Sequence, residues 1–179
     1  MEQALQTNIA DSVRLFLKAH FEEDILKESD FRGEQVFYIK PEAIFGICEA
    51  FLEDHDLDVN FLADITSVDW LEHEDEYGGR FEVIYNLYSL KHKYRFFLKT
   101  FLPSENPTIA SLTPLWNGAN WMEREVWDMM GIVFEGHPDL TKILTPDELE
   151  GFPLRRDFPL TYEVPRFSWN KDDPPEVLR

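Results

Sequence analysis

The sequence predicts an α+β fold: a two-layer sandwich in which a mixed β-sheet carries helices on one face, followed by a further helix and an extended C-terminal arm. Three observations predict it: apolar residues at helix period near the start, the order helix-strand-helix-strand-strand-strand that follows, and a last stretch rich in proline and aromatic residues. A chain of 179 residues, 44% of them apolar, suffices for one domain with a real core. The expected division is a domain over residues 1–150 and an arm over 151–179.

Ile9, Val13, Phe16 and Leu17 recur at helix period. Val36–Ile39 reads as a short strand, and Pro41 suits the first turn of a helix that runs to about Glu53. Cys48 falls at helical spacing among Ile44, Ile47, Phe51 and Leu52, which makes it a core residue; as the single cysteine it can form no internal disulfide. Asn60–Val68, Phe81–Leu90 and Tyr94–Leu102 read as strands, the last two joined by a hairpin turn at Lys91–Lys93. The acidic stretch Glu72–Gly79 is a solvated, mobile loop between strands.

After Pro103 the character changes. Pro107–Trp116 is expected as a short helix interrupted at Pro114, and Gly118–Gly131 as a longer one that Gly131 ends. Trp121, Met122, Val126 and Met129 make its apolar face; Glu125, four residues from both Trp121 and Met129, is then directed inward and needs a partner. From Gly151 onward Pro153, Pro159, Pro165, Pro174 and Pro175 exclude long helices and central strands, while Phe152, Phe158, Tyr162, Phe167 and Trp169 are interleaved. Such a segment lies along a surface, its own domain's or a partner's. Arg155 and Arg156 at its start are the expected partners of Glu123 or Glu125, because buried carboxylates demand hydrogen-bonded cations.

Composition excludes several functions. The formal charge is −18, and no Lys or Arg occurs between Lys40 and Arg80, so nucleic acid and anionic membrane surfaces are repelled. The longest apolar runs, such as Phe96–Leu98, fall far short of the ~20 residues that a membrane span needs. Neither a dinucleotide nor a P-loop phosphate cradle is present. One cysteine cannot supply the usual four ligands of an iron–sulfur cluster. Asp54, Asp56 and Asp58 imitate the start of a calcium loop, but Val59 and Ile65 stand where its glycine and bidentate glutamate belong. The five histidines, His20, His55, His73, His92 and His137, have no short-range metal spacing. Glu123 and Glu125 point to different sides of a helix and make no catalytic carboxylate pair, whereas Arg124 and Asp128, four apart, have the spacing of a helix staple.

One stretch is far more specific. Glu123-Arg124-Glu125-Val126-Trp127-Asp128 leads to Gly131-Ile132-Val133-Phe134-Glu135-Gly136-His137-Pro138, then Lys142-Ile143-Leu144 and Pro153-Leu154-Arg155-Arg156-Asp157. This closely resembles the thirty-kilodalton subunit family of respiratory complex I, in which an E-R-E-x-x-D helix precedes G-I-x-F-x-G-H-P and P-L-R-[KR]-D. Thr141 stands where the family usually carries a basic residue, and Phe152 replaces a common histidine.

The resemblance implies a subunit of an ion-translocating NADH:quinone oxidoreductase with no catalytic site and no cofactor of its own; FMN and iron–sulfur clusters would sit in partner subunits. It further implies contacts with D-type, B-type and I-type subunits, and a peripheral place on the cytoplasmic face of the bacterial inner membrane, reached through the complex. The sister reading is the equivalent subunit of a membrane-bound hydrogenase or of a ferredoxin- or deazaflavin-linked dehydrogenase, since fold and docking are shared among these machines. The residues expected to shape the fold or its contacts with other subunits are those of the signature, with His137 a structural hydrogen-bonding residue, Gly136 and Pro138 parts of a tight turn, and Gly131–Leu160 the main docking segment.

Overall fold

The computed structural model describes residues 2–73 and 78–161, with side chains from residue 9 onward. The expected aromatic arm beyond Thr161, with Tyr162, Pro165, Phe167 and Trp169, and the tip of the acidic loop at 74–77 lie outside the described residues.

Helix α1 (Glu2–Phe21) opens the fold, and strand β1 (Ile25–Phe31) turns back into β2 (Glu34–Ile39). Strand β1 is absent from the sequence reading. Its residues, Ile25-Leu26-Lys27-Glu28-Ser29-Asp30-Phe31, carry no clean alternation because it is an edge strand with little to bury. The signal that remains is the two-residue turn: Arg32 and Gly33 both take positive φ, 56° and 82°, as a tight hairpin of favourable twist requires. Pro41 starts a short 3-10 turn that leads into α2 (Ile44–Glu53). Three long strands follow, β3 (Phe61–Asp69), β4 (Phe81–Ser89) and β5 (Tyr94–Leu102).

The sheet order is β1-β2-β5-β4-β3, with β2 and β5 parallel and the other neighbours antiparallel. Alternation decides which side chains are inside: Phe37 and Ile39, Phe96 and Leu98, Phe81, Val83, Tyr85 and Leu87 are all buried. The ring of Phe96 touches Phe51 of α2, at 5.1 Å between centroids, and Phe51 in turn touches Phe16 of α1 at 5.0 Å. Cys48 is fully buried in this layer, and burial pushes its thiol well above the usual range, consistent with a core role.

The segment expected as a helix over Pro107–Trp116 instead contains strand β6 (Thr108–Ala110), paired in parallel with β7 (Val133–Glu135). Pro107 cannot donate to a ladder, but its carbonyl accepts the Val133 amide at 2.9 Å, and β-branched Thr108 and Ile109 suit the extended backbone. Between β6 and β7 lies α3 (Ala119–Met130). Its buried stripe is Ala119, Glu123, Val126 and Met130, spaced by four, three and four residues.

Candidate docking surface

Helix α3 carries the first part of the signature; Val126 is buried and Met122 and Met129 pack against the core as expected, but Trp121 and Glu125 do not face inward. Trp121 is 64% exposed, with the Arg124 guanidinium 5.1 Å above its ring, and Glu125 is exposed. Hydrophobicity favours placing Trp121 inside; a cation on its ring lets it remain outside. The inward carboxylate is therefore Glu123, not Glu125, and its partners are neither Arg155 nor Arg156. One Glu123 oxygen accepts from the Ser111 hydroxyl at 2.6 Å and the other from the Leu112 amide at 2.7 Å. Burial pushes its pKa up to about 7, against the opposing pull of those two hydrogen bonds.

Asp128, five residues on, is the opposite case. One of its oxygens accepts the amides of Ile143, Leu144 and Thr145 at 3.0, 2.8 and 3.0 Å, and the other accepts the Thr145 hydroxyl. Burial disfavours its charge, but these donors outweigh burial and hold the carboxyl below the usual range. The expected Arg124–Asp128 staple does not form. Arg124 donates to the Thr141 carbonyl at 3.0 Å and to its hydroxyl at 2.8 Å, so two side chains of one helix hold adjacent parts of the same irregular segment. Thr141, which departs from the family pattern, thus supplies a contact of its own.

Gly131 closes α3 in the left-handed conformation, φ 74°, its amide bonded to the Trp127 carbonyl at 2.8 Å. It also allows close packing, because a Cβ at this position would lie 2.4 Å from the Phe152 ring and 2.6 Å from the Arg155 guanidinium. His137 spans two neighbours: Nε2 faces the Asn120 carbonyl at 3.1 Å, while Nδ1 accepts the Asp139 amide at 3.1 Å, which fixes the tautomer with the proton on Nε2. Gly136, at φ 83°, and Pro138 flank that turn. Lys142 donates to the carbonyls of Pro146 and Leu149 at 3.2 and 2.8 Å and closes the next loop on itself.

The P-L-R-R-D stretch is anchored at the end of the sheet. Arg80, buried at the start of β4, is bidentate to Asp69 at the end of β3, both contacts at 2.9 Å, and also meets Asp157 at 2.8 Å. Asp69 accepts the Arg156 amide at 2.8 Å as well. Its burial works against charge, yet the Arg80 and amide hydrogen bonds keep its carboxyl low; the Arg80 hydrogen bond does the same for Asp157. The Asp69 carboxylate in turn raises the Arg80 pKa.

Arg155 donates to the Met130 carbonyl at 2.6 Å, with its guanidinium 4.4 Å from the Phe152 ring centroid and 4.9 Å from that of Phe81. Burial and the neighbouring Arg80 charge lower its pKa from the ordinary arginine value. The Arg156 side chain lies outside, 4.0 Å from Glu72. Asp69, Arg80, Ser111 and Thr145 are not singled out as site residues by the sequence reading. The parity of β3 could have found Asp69, because inward Ile65 places Ser67 and then Asp69 on the same side.

These bonds share one geometry. The segment's backbone is tied inward while apolar side chains face out: Leu144, whose amide is held by Asp128, is 60% exposed, and Leu154, whose amide bonds the Met129 carbonyl at 3.1 Å, is 58% exposed. Leu160 is fully exposed. Among the described residues no group of three or more His, Cys, Asp or Glu side chains is placed to hold a metal, and no helix is long and apolar enough to cross a membrane.

Residues 37–164 match the sequence family described as respiratory-chain NADH dehydrogenase, 30 Kd subunit. The C-type subunit of the NADH-quinone oxidoreductase of Roseiflexus sp. (strain RS-1) is 43% identical over 156 residues, covering 87% of each chain. The solved trypsin-resistant fragment (1-134) of Nqo5 superposes with a TM-score of 0.61 at 35% identity, covering 71% of this chain and 97% of the fragment. A chain of an archaeal membrane-bound sulfane sulfur reductase shares the fold, with a TM-score of 0.70 at 21% identity over 85% of this chain and 86% of that one. The chain belongs to the family of the 30 kDa subunit of respiratory-chain NADH dehydrogenase.

Proposed function

We propose that this chain is the C-type subunit of a proton-translocating NADH:quinone oxidoreductase, a brace in the peripheral arm with no cofactor and no catalytic site of its own. Its sheet domain stiffens the assembly, and the Gly131–Leu160 segment docks on D-type, B-type and I-type partners at the cytoplasmic face of the inner membrane. FMN and the iron–sulfur clusters belong to other subunits of the complex; the single cysteine here is buried in the core and offers no ligand set. Glu123, Asp128, Gly131, Arg155 and Asp157 act by shaping the docking segment, while Leu144 and Leu154 supply contact area.

The observation that carries this reading is the inverted segment, with buried charges inside and leucines outside. An irregular backbone held this firmly presents apolar side chains already ordered, which lowers the entropy lost on binding. A Leu144→Glu, Leu154→Glu variant keeps its fold, and recovery of the assembled complex from gently solubilised membranes falls about tenfold, as loss of central apolar anchors entails. Wild-type chain recovered alone, or undiminished assembly of the variant, overturns the reading.

The sister reading, a hydrogenase-like or ferredoxin- or deazaflavin-linked complex, has the shared fold in its favour. The same purification separates them: an NADH-binding flavoprotein with NADH:quinone activity supports the first, and a hydrogenase-like set of subunits the second.

A further inference from the structure

The helices cover one face of the sheet, and register assigns a different set of side chains to the other. Lys27 and Ser29 of β1, Val36 and Tyr38 of β2, Phe97, Lys99 and Phe101 of β5 and Ile84 of β4 are mutual neighbours on that outer face. Tyr38 and Phe101 stack at 6.0 Å with planes 4° apart. Phe31, at the rim, is 62% exposed. Between the rim and the strands lies a groove of about 420 Å³ lined by Ser29, Phe31, Val36, Tyr38, Ile84 and Phe97, with Lys99 and Glu34 at its sides.

The charge around this groove is opposite to that of the chain. Across 179 residues, 35 acidic side chains face 17 basic ones. Around the groove stand four cations, each seated on a ring: Lys27 over Tyr38 at 5.4 Å, Arg32 over Phe31 at 5.0 Å, Arg95 over Phe97 at 5.5 Å and Lys99 over Tyr38 at 5.8 Å. The fourth, Lys99, bonds Glu82 at 2.8 Å, and Glu34 pairs with Arg95, so both local carboxylates are already neutralised. What remains is an apolar floor with a surplus of positive charge at its edges.

We propose that this outer face is a second docking surface, and that its occupant is an amphipathic helix of a neighbouring subunit whose apolar stripe is flanked by carboxylates. A sheet with helices on one face leaves the other face free to take a further helical layer. The cationic rim selects an acidic partner and sets its orientation. The inference rests on the chain being a subunit of a larger assembly, but it does not depend on the leucines of the Gly131–Leu160 segment.

The test uses the intact complex with p-benzoylphenylalanine replacing Phe31 or, separately, Phe97, photolysed after purification. The expected product joins each position to a helix of another subunit that carries Asp or Glu beside its apolar stripe. With Lys27→Glu and Arg95→Glu combined, both exposed, the cross-link yield falls about tenfold, as like charge replaces complementary charge at the rim.

Cross-links to this chain's own residues 162–179, to a second copy or to a basic segment overturn the proposal, as does an absence of cross-links in an assembled complex. If even the unsubstituted chain recovers no partner, it is the assembly reading that fails; assembled complex with an unlabelled outer face sinks this proposal alone.

Discussion

The five-stranded sheet and the segment that follows β7 are held by different forces. In the sheet every strand pairs with a neighbour, so backbone groups are satisfied by the ladder and side chains need only alternate between inside and outside. From Gly136 to Phe158 there is no helix or strand, and the backbone has no ladder to satisfy it. Charged side chains take over: Asp128 accepts three successive amides, and Asp69 accepts one more from the far end of the segment. The difference teaches that buried carboxylates bind backbone amides here where irregular backbone must be held rigid. In the regular sheet the buried carboxylate within a strand's interior, Glu82, is bonded to side chains, Lys99 and Trp70, and the ladder holds the backbone.

The sharpest way to break that contrast is to remove Arg80, which belongs to both regions. Arg80→Ala leaves buried Asp69 without its cation and frees Asp157, at a cost of about 3–5 kcal/mol. The result expected in urea unfolding is a large fall in stability, and limited proteolysis should cut the segment faster than global unfolding explains. A core truncation such as Phe96→Ala lowers stability without that selective cutting. If Arg80→Ala leaves the segment protected, the clamp is not what holds it.

The same contrast explains what is legible in the sequence. Strands β3, β4 and β5 are readable because alternation and a hairpin turn are local signals, and Phe81, Tyr85, Phe96 and Leu98 fall where parity puts them. On α3, Val126, Met122 and Met129 are read correctly, but the inward carboxylate is misread because Trp121 outweighs Glu123 in any hydrophobic count, although Ser111 and the Leu112 amide make the carboxylate the better core residue. Arg155 and Arg156 do stand at the start of an anchored segment, but with partners other than those expected. Their environment comes from Asp69, Met130 and Phe81, whose proximity depends on tertiary folding and on separations of 87 residues in one case and 25 in another.

Two carboxylates on one helix sharpen the comparison, because their pKa values move in opposite directions. Glu123 is raised from 4.5 to about 7, so its stabilising contribution is full below its unfolded value and is lost as pH rises through the folded one. Wild-type protein should lose about 1–3 kcal/mol between about pH 5 and about pH 8 from this group, and Glu123→Gln should flatten that slope. Gln keeps the shape and can accept from Ser111 or Leu112 without carrying charge. An unchanged slope in urea titrations of the variant would show that Glu123 stays ionised in the fold.

Asp128→Asn is the smaller perturbation, since the variant retains one carbonyl oxygen for the three amides, and the Thr145 hydroxyl can accept from the new amide group. What it removes is the charge in those hydrogen bonds, about 1–2 kcal/mol at neutral pH. The sign of the pH effect is opposite to that of Glu123. Because the folded pKa is depressed, the wild-type advantage is present above the unfolded value, near 3.8, and fades as pH falls through the folded one. Wild-type and Asn proteins should therefore differ in unfolding midpoint at neutral pH and converge in acid. A constant gap down to about pH 2 would mean that geometry alone, rather than the negative charge, ties the segment to α3.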